Sequence, residues 1–479
     1  MLRCNKSLWF VFAFVLICFF AVSCSSSKDK QPKYVFYLIG DGMGLAQVSA
    51  TEAYLSELEG KVGGISLPFT QFPVIGVATT FSANRGITCS SAAGTALATG
   101  IKTKNNMLGM DPDTLALKSI AYKFKEAGYK VGITTSVGVN HATPAAFYGH
   151  QDNRSKYYEI GLELPGTGFD FFAGASMMEP NGKMKDQKSL YEIIAKSGYG
   201  IAYGAGQYDS VKNVSERILL VEKPEYNAYD ALAYAIDRKG NELTLPVIVE
   251  KAIDFLGKDT KNDKGFFLMI EGGKIDWSSH SNDGGTTIQE VMDFSATIDK
   301  VIEFYDAHPN ETLIVITADH ETGGMSLASK SGYILNAKSL KGQKISKELL
   351  SARFHDLSVE KGGKVQWDEI RTILANELGF WNGVELTEDQ ENELKKCYNE
   401  AFVKGYEKEQ KTLYSTTGAM ANVAMKMLND IAKIGWTTNS HSGIPVPVYA
   451  KGAGSSEFAG KMDNTDIPKK IIKATGISF

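Results

Sequence analysis

The chain has 479 residues, of which 43% are hydrophobic and 22% charged, and a formal net charge of −4. That composition is ordinary for a globular protein, and the balanced charge leaves no basic footprint, which excludes nucleic acid as a specific partner. The length admits two or three average domains or one large α/β fold, and no fixed-period repeat or long low-complexity tract is present.

In chain order, Arg3 and Lys6 precede the apolar run LWFVFAFVLICFFAV (8–22). The run has signal-peptide length and is short for a spanning helix. The small residues before Cys24 in AVSCSSS resemble a bacterial lipoprotein processing site. That resemblance implies a signal peptide over 1–23, cleavage before Cys24 and lipid on its thiol. An ordinary signal peptide cut nearby is the plainer expectation. Residues 24–33 then read as a polar tether. Ser25 is not an acidic retention signal, so the expected location is the periplasmic side of the outer membrane, with surface exposure left open. Cys89 and Cys397 are the only other cysteines beyond the signal. A disulfide framework is therefore not expected, despite the oxidising compartment.

Apolar β-rich runs follow at 34–40, 73–80, 129–136, 265–272, 312–318 and 446–452. Helical patterns lie at 114–127, 244–257 and 287–306. Continuous apolar strands alternating with amphipathic helices predict a mainly parallel sheet covered on both faces. Residues 328–430 differ. They are rich in Lys, Glu and Asn, and read as a helical insertion or cap on the α/β body.

In open parallel sheets, chemistry gathers beyond the C-terminal strand ends. Asp41 follows the first run. Glu271 closes the 265–272 run, with Asp276 and His280 shortly after. Asp319, His320 and Glu321 follow the 312–318 run. One carboxylate at a strand end is usually a cap or turn residue, but three such ends converge. Asp276 and His280 are four apart, so a helix would place both on one face, within reach of one metal. His441 lies in a small, Pro-rich loop without a core pattern. His308 and His355 read as surface residues, and His150 is undecided. Mixed nitrogen and oxygen donors suit Zn²⁺, whereas oxygen donors alone suit Mg²⁺.

TCSS at 88–91 precedes the small-residue tract AAGTALATG. It reads as a helix start. Its hydroxyls serve as an N-cap, or a serine there serves as a nucleophile beside a metal.

The segments IGDGMG (39–44), TCSSAAGTALATGIKT (88–103), HATPAAFYGHQDNR (141–154), EGGKIDWSSH (271–280), TADHETGG (317–324) and SHSG (440–443) occur in an order that resembles the alkaline phosphatases. The likeness spans about 34–452. It implies a three-layer αβα sandwich with a crown-like insertion, and a catalytic domain over 34–479. It also implies hydrolysis of small phosphate monoesters. Ser90 would be the nucleophile, forming a phosphoseryl intermediate, and Arg154 would clamp the phosphoryl oxygens. Asp276, His280 and His441 would hold one zinc, and Asp41, Asp319 and His320 a second. Asp41, Thr143 and Glu271 would hold Mg²⁺. Many relatives dimerise, which leaves a homodimer open.

Three positions depart from the family pattern. Cys89 stands where many relatives have an Asp that orients the arginine, which puts the rigidity of Arg154 in question. His141 stands near the Mg²⁺ site where some relatives carry Asp, and an imidazole there, a worse partner for hydrated Mg²⁺, could draw in a third zinc. Trp277 replaces a Lys or His found in some relatives, so one water-bridged phosphate contact is expected to be missing and product phosphate to bind more weakly. A phosphodiesterase or phosphonate hydrolase of the same superfamily is the alternative, but such relatives generally lack the Mg²⁺ triad. A sulfatase is disfavoured because Cys89 is in the wrong context. A pure binding protein would not need Ser90.

Overall fold

The computed structural model describes residues 31–478, apart from 227–229, 259–263, 331, 406 and 407. The expected signal peptide, Cys24 and the tether up to residue 30 lie outside the described residues. Ten strands build one sheet: β1 (Tyr34–Gly40), β2 (Val74–Thr79), β3 (Lys130–Thr135), β4 (Phe171–Gly174), β5 (Gly200–Tyr203), β6 (Ile218–Val221), β7 (Phe266–Gly272), β8 (Thr312–Thr317), β9 (Val446–Gly452) and β10 (Gly460–Asp463). Their order is β10-β2-β9-β8-β1-β7-β3-β4-β6-β5. Every pairing is parallel except those of β9 with β2 and β8. Helices cover both faces of this α/β sheet. β7 and β8 are buried along their whole length, which is why they read as unbroken apolar runs.

The helix over Leu245–Leu256 forms as its pattern predicts, with the Thr244 hydroxyl accepting from Val247 N. The helix predicted over 287–306 starts earlier, at Gly284, because Asp283 caps it by accepting from Thr286 N at 3.1 Å. The stretch predicted as helix over 114–127 forms one only at Ile120–Glu126. Upstream, Asp111 Oδ1 accepts from the amides of Asp113 and Leu115, and Thr114 adopts φ 68°. That side-chain turn outcompetes the helix.

Helices Lys347–Glu360, Trp367–Leu378, Glu388–Tyr398 and Ala419–Ala432 fill much of 328–430. Leu350, Phe354, Leu374, Leu394 and Leu428 form a second hydrophobic cluster there with Tyr54 and Ile288 of the body. This region is therefore seated on the sheet-covering helices Leu45–Leu58 and Gly284–Ala307.

Register positions the site. Gly40 pairs with Gly272, and Ile39 with Thr317. The C-terminal ends of β1, β7 and β8 are thus level, and Asp41, Glu271 and Asp319 arrive at one edge.

Candidate active site

Asp41, Asp319 and His320 converge at this edge, with one ligand atom of each within 4.8 Å of the others. His320 Nε2 is 3.1 Å from Asp319 Oδ2 and 3.5 Å from Asp41 Oδ1. The turn after β1 depends on Gly42. Its φ is 74°, its N–H donates to Asp319 Oδ1, and a Cβ there would meet Asp276 Cα at 2.8 Å. Only glycine lets Asp41 come this close to the neighbouring ligand segment.

The second set is Asp276, His280 and His441. Asp276 and His280 share one face of the helix Lys274–His280. His441 arrives on a two-residue strand paired antiparallel to Glu321–Thr322. The hydrogen-bond partners fix the tautomers. His280 Nδ1–H donates to the Asn439 carbonyl at 2.6 Å, and His441 Nδ1–H to the Thr88 carbonyl at 2.8 Å. Both Nε2 lone pairs therefore point inward, 3.1 Å apart and facing Asp276 Oδ1. Two converging lone pairs beside a carboxylate need a shared cation. Burial and the neighbouring His320 hold the His441 imidazole down to about 3.

The carboxylates separate into two kinds. Glu321, also at the end of β8, has both oxygens engaged by Gln47, Ser442 and the amides of Gly324 and Met325. By contrast, Asp41 Oδ1, Asp276 Oδ2, Asp319 Oδ2 and Glu271 Oε1 are buried and make no hydrogen bond among the described residues. Burial and the charge of Asp319 push the Asp41 carboxyl well above its usual range. Four buried carboxylates with orphaned oxygens are a costly arrangement unless cations bind them. The residues present fit metal ions.

Ser90 is the first residue of the fully buried helix Ser90–Thr99. Its Oγ lies 3.2 Å from His320 Nε2. It does not cap the helix. The N-cap position is Cys89, which makes no side-chain capping bond. The small-residue tract has a packing role: a Cβ on Gly94 would stand 3.3 Å from Thr143 Cα, so the helix approaches the segment bearing Thr143 closely. Thr143 Oγ1 donates to Asp41 Oδ2 at 3.3 Å. Glu271 shares this corner and accepts from the Thr135 hydroxyl. Burial pushes the Glu271 carboxyl up to about 7.

The alkaline phosphatase family model matches residues 32–179 and 169–477. The chain belongs to the alkaline phosphatase family. Alkaline phosphatase 3 of Bacillus subtilis is 31% identical, over 92% of this chain and 88% of its own. The cold-active alkaline phosphatase of Shewanella sp. has 27% identity and a TM-score of 0.76, covering 92% of this chain and 99% of its own. The alkaline phosphatase of the Antarctic bacterium TAB5 has 27% identity and a TM-score of 0.65, covering 94% and 100%. This alkaline phosphatase is accordingly a metal-dependent phosphoric monoester hydrolase.

His141 and Trp277 sit beside one another, with ring centroids 5.9 Å apart. Arg154 is 7% exposed, and its Nη2 donates to His141 Nε2 at 3.0 Å and to the Tyr414 hydroxyl at 3.1 Å. Burial and the Arg154 charge hold His141 down to about 3, so its ring is neutral. Trp277 stacks on Tyr414 with ring centroids 4.4 Å apart. Cys89 Sγ is turned to the Asn106 amide, 3.1 Å away. Outside the ligands, a cleft of about 600 Å³ opens over His280 and His441, with Arg85, Asn105 and Lys411 on its walls.

Two residues escaped the sequence reading. Thr322 donates to Asp276 Oδ1 and lies 3.2 Å from His320 Nδ1, tying the two ligand sets together. Its place two positions after His320 was the available signal. Tyr414 carries no local signal, because its site role depends on a loop folding back from the Lys/Glu-rich region. The remaining histidines stay outside the site. His150 pairs with Glu163, His355 is exposed, and His308 packs half-buried against Phe304 instead of lying free on the surface.

Proposed function

We propose that this enzyme hydrolyses phosphate monoesters through a phosphoserine on Ser90. Zinc would be held by Asp276, His280 and His441 and by Asp41, Asp319 and His320, and Mg²⁺ by Asp41, Thr143 and Glu271. The observation that carries this reading is Ser90 Oγ, 3.2 Å from His320 Nε2 in a buried pocket of unsatisfied carboxylates. Bound metals supply Lewis acidity, lowering the pKa of a coordinated oxygen and offsetting phosphoryl charge. Ser90 Oγ forms a bond to phosphorus while the ester oxygen departs with the alcohol. Water then cleaves the serine–phosphate bond, restoring the hydroxyl and releasing inorganic phosphate. Arg154 turns its guanidinium charge, and the N–H donors that His141 and Tyr414 leave free, toward the phosphoryl oxygens.

The donor chemistry supports the metal assignments. Both imidazole-containing sets suit zinc, and the all-oxygen corner suits Mg²⁺. A variant of the TAB5 enzyme has Mg bound in its M3 site. While Arg154 donates to His141 Nε2, the His141 proton sits on Nδ1. His141 then offers no lone pair to a third zinc.

A monoester presents one more free oxygen to Arg154 than a diester does. Arg154→Ala is expected to cost about 10²–10³-fold in kcat/KM on an aryl phosphate monoester, and much less on the matching diester. Steady-state rates on both esters check this, and equal losses would favour the diesterase alternative.

The AVSC pattern before Ser25 supports an envelope location, with the chain anchored by lipid on Cys24. Labelling of growing cells with a fatty acid is expected to mark the wild-type chain and not Cys24→Ala. Unlabelled wild-type protein would remove the anchor.

A further inference from the structure

Arg154 reaches the site on neutral partners. Its Nη2 contacts are the His141 ring and the Tyr414 hydroxyl. Cys89, just before Ser90, gives its sulfur to the Asn106 amide and to Ser91 Oγ at 3.2 Å. The orientation of the guanidinium therefore depends on what fixes Tyr414.

Tyr414 is well fixed. It lies in the turn between the paired short strands Gln410–Lys411 and Thr416–Thr417. Thr412 Oγ1 holds that turn by accepting from Ser415 N at 3.0 Å. The Tyr414 ring stacks nearly parallel on Trp277, with an interplanar angle of 10°. Its edges meet His141 at 5.7 Å and His280 at 5.5 Å, centroid to centroid. Trp277 is itself backed by the Lys274 ammonium, 4.8 Å from its ring. A ring gripped on these sides holds its hydroxyl in one place.

We propose that Tyr414 is a positioning residue for Arg154, delivered to the active site by the helical region and locked there by Trp277. The proposal rests on the reading of Arg154 as the phosphoryl clamp. Tyr414 and His141 occupy Nη2, and no hydrogen bond to a described residue engages Nε or Nη1. Both acceptors are neutral, so the guanidinium meets the dianionic phosphoryl group with its full charge. A carboxylate in their place would hold the arginine equally well but would neutralise part of that charge. Tyr414 thereby turns the departure at Cys89 into a different way of aiming the same cation.

A double-mutant cycle tests this. Tyr414→Phe removes the hydroxyl and keeps the stack on Trp277. In the Arg154 background it is expected to lower kcat/KM on an aryl phosphate monoester about tenfold, the value of one hydrogen bond to a charged group. In the Arg154→Ala background the same change is expected to cost less than about twofold, because its target is gone. KM for the monoester and the inhibition constant for inorganic phosphate should rise only where Arg154 is present. Equal losses in both backgrounds would overturn the role of Tyr414, as would no loss with Arg154 present. Unchanged turnover in Arg154→Ala alone would overturn the clamp reading and the proposal with it. Tyr414→Ala, which also removes the stack, should cost more than Tyr414→Phe in the Arg154 background.

Discussion

Ser90→Ala is expected to lower monoester turnover by about 10⁴-fold or more, equivalent to roughly 5 kcal/mol of transition-state stabilisation. The expectation follows from where the hydroxyl points. Ser90 opens a helix but caps nothing, and its Oγ faces His320 Nε2. Were the residue only an N-cap, the same substitution would cost about 1 kcal/mol of stability and leave turnover intact. Steady-state rates and thermal unfolding of one variant therefore separate the two roles. Cys89→Ala is the matched control. Its sulfur bonds the Asn106 amide and Ser91 Oγ and makes no hydrogen bond to a proposed metal ligand, so turnover should survive. A rate collapse in Cys89→Ala with an active Ser90→Ala would reverse the assignment.

Removing divalent cations is expected to abolish turnover and to lower the thermal midpoint. Asp41, Glu271, Asp276 and Asp319 are all fully buried, each with an oxygen that makes no hydrogen bond. A cation at about 1,000 times its dissociation constant stabilises a fold by about 4 kcal/mol per site. Chelation should remove that stabilisation, and Zn²⁺ with Mg²⁺ should restore it. The pH dependence follows from Glu271, which burial pushes up to about 7 from its usual 4.5. A raised carboxyl favours the protonated folded chain. Its contribution to the cation-free fold is present in full below the unfolded pKa and is lost as pH rises through about 7. Mg²⁺ must displace that proton at low pH and meets a bare carboxylate at high pH. The rise in midpoint on adding Mg²⁺ should therefore be larger at about pH 8 than at about pH 6. An equal rise at both would mean that Glu271 is not a ligand.

Long strands at the centre of the sheet were legible because burial on both faces leaves an unbroken apolar run, as in YVFYLIG and TLIVIT. β4, β5, β6 and β10 were not, since each has only four residues and their pairing is decided by neighbours in the sheet. The stretch 114–127 misled because an apolar periodicity says nothing of the Asp111 carboxylate that closes a turn upstream. At the site, Asp276 and His280 were readable from helical spacing alone. Asp41, Glu271 and Asp319 were readable as strand-end carboxylates, but so was Glu321, whose oxygens are spent on Gln47, Ser442 and backbone amides. Only the contacts separate a ligand from a structural carboxylate. Tyr414 shows the further limit: its hydroxyl reaches an arginine 260 positions away through a loop of the helical region.

The central claim is that the phosphoryl group passes through Ser90. The direct measurement is to quench the metal-loaded enzyme in acid during turnover of a monoester and map the covalently bound phosphate by peptide mass spectrometry. The account predicts phosphate on Ser90, and none in Ser90→Ala. Phosphate on Cys89 or any other residue, or a chain that turns over substrate and never carries phosphate, would contradict it.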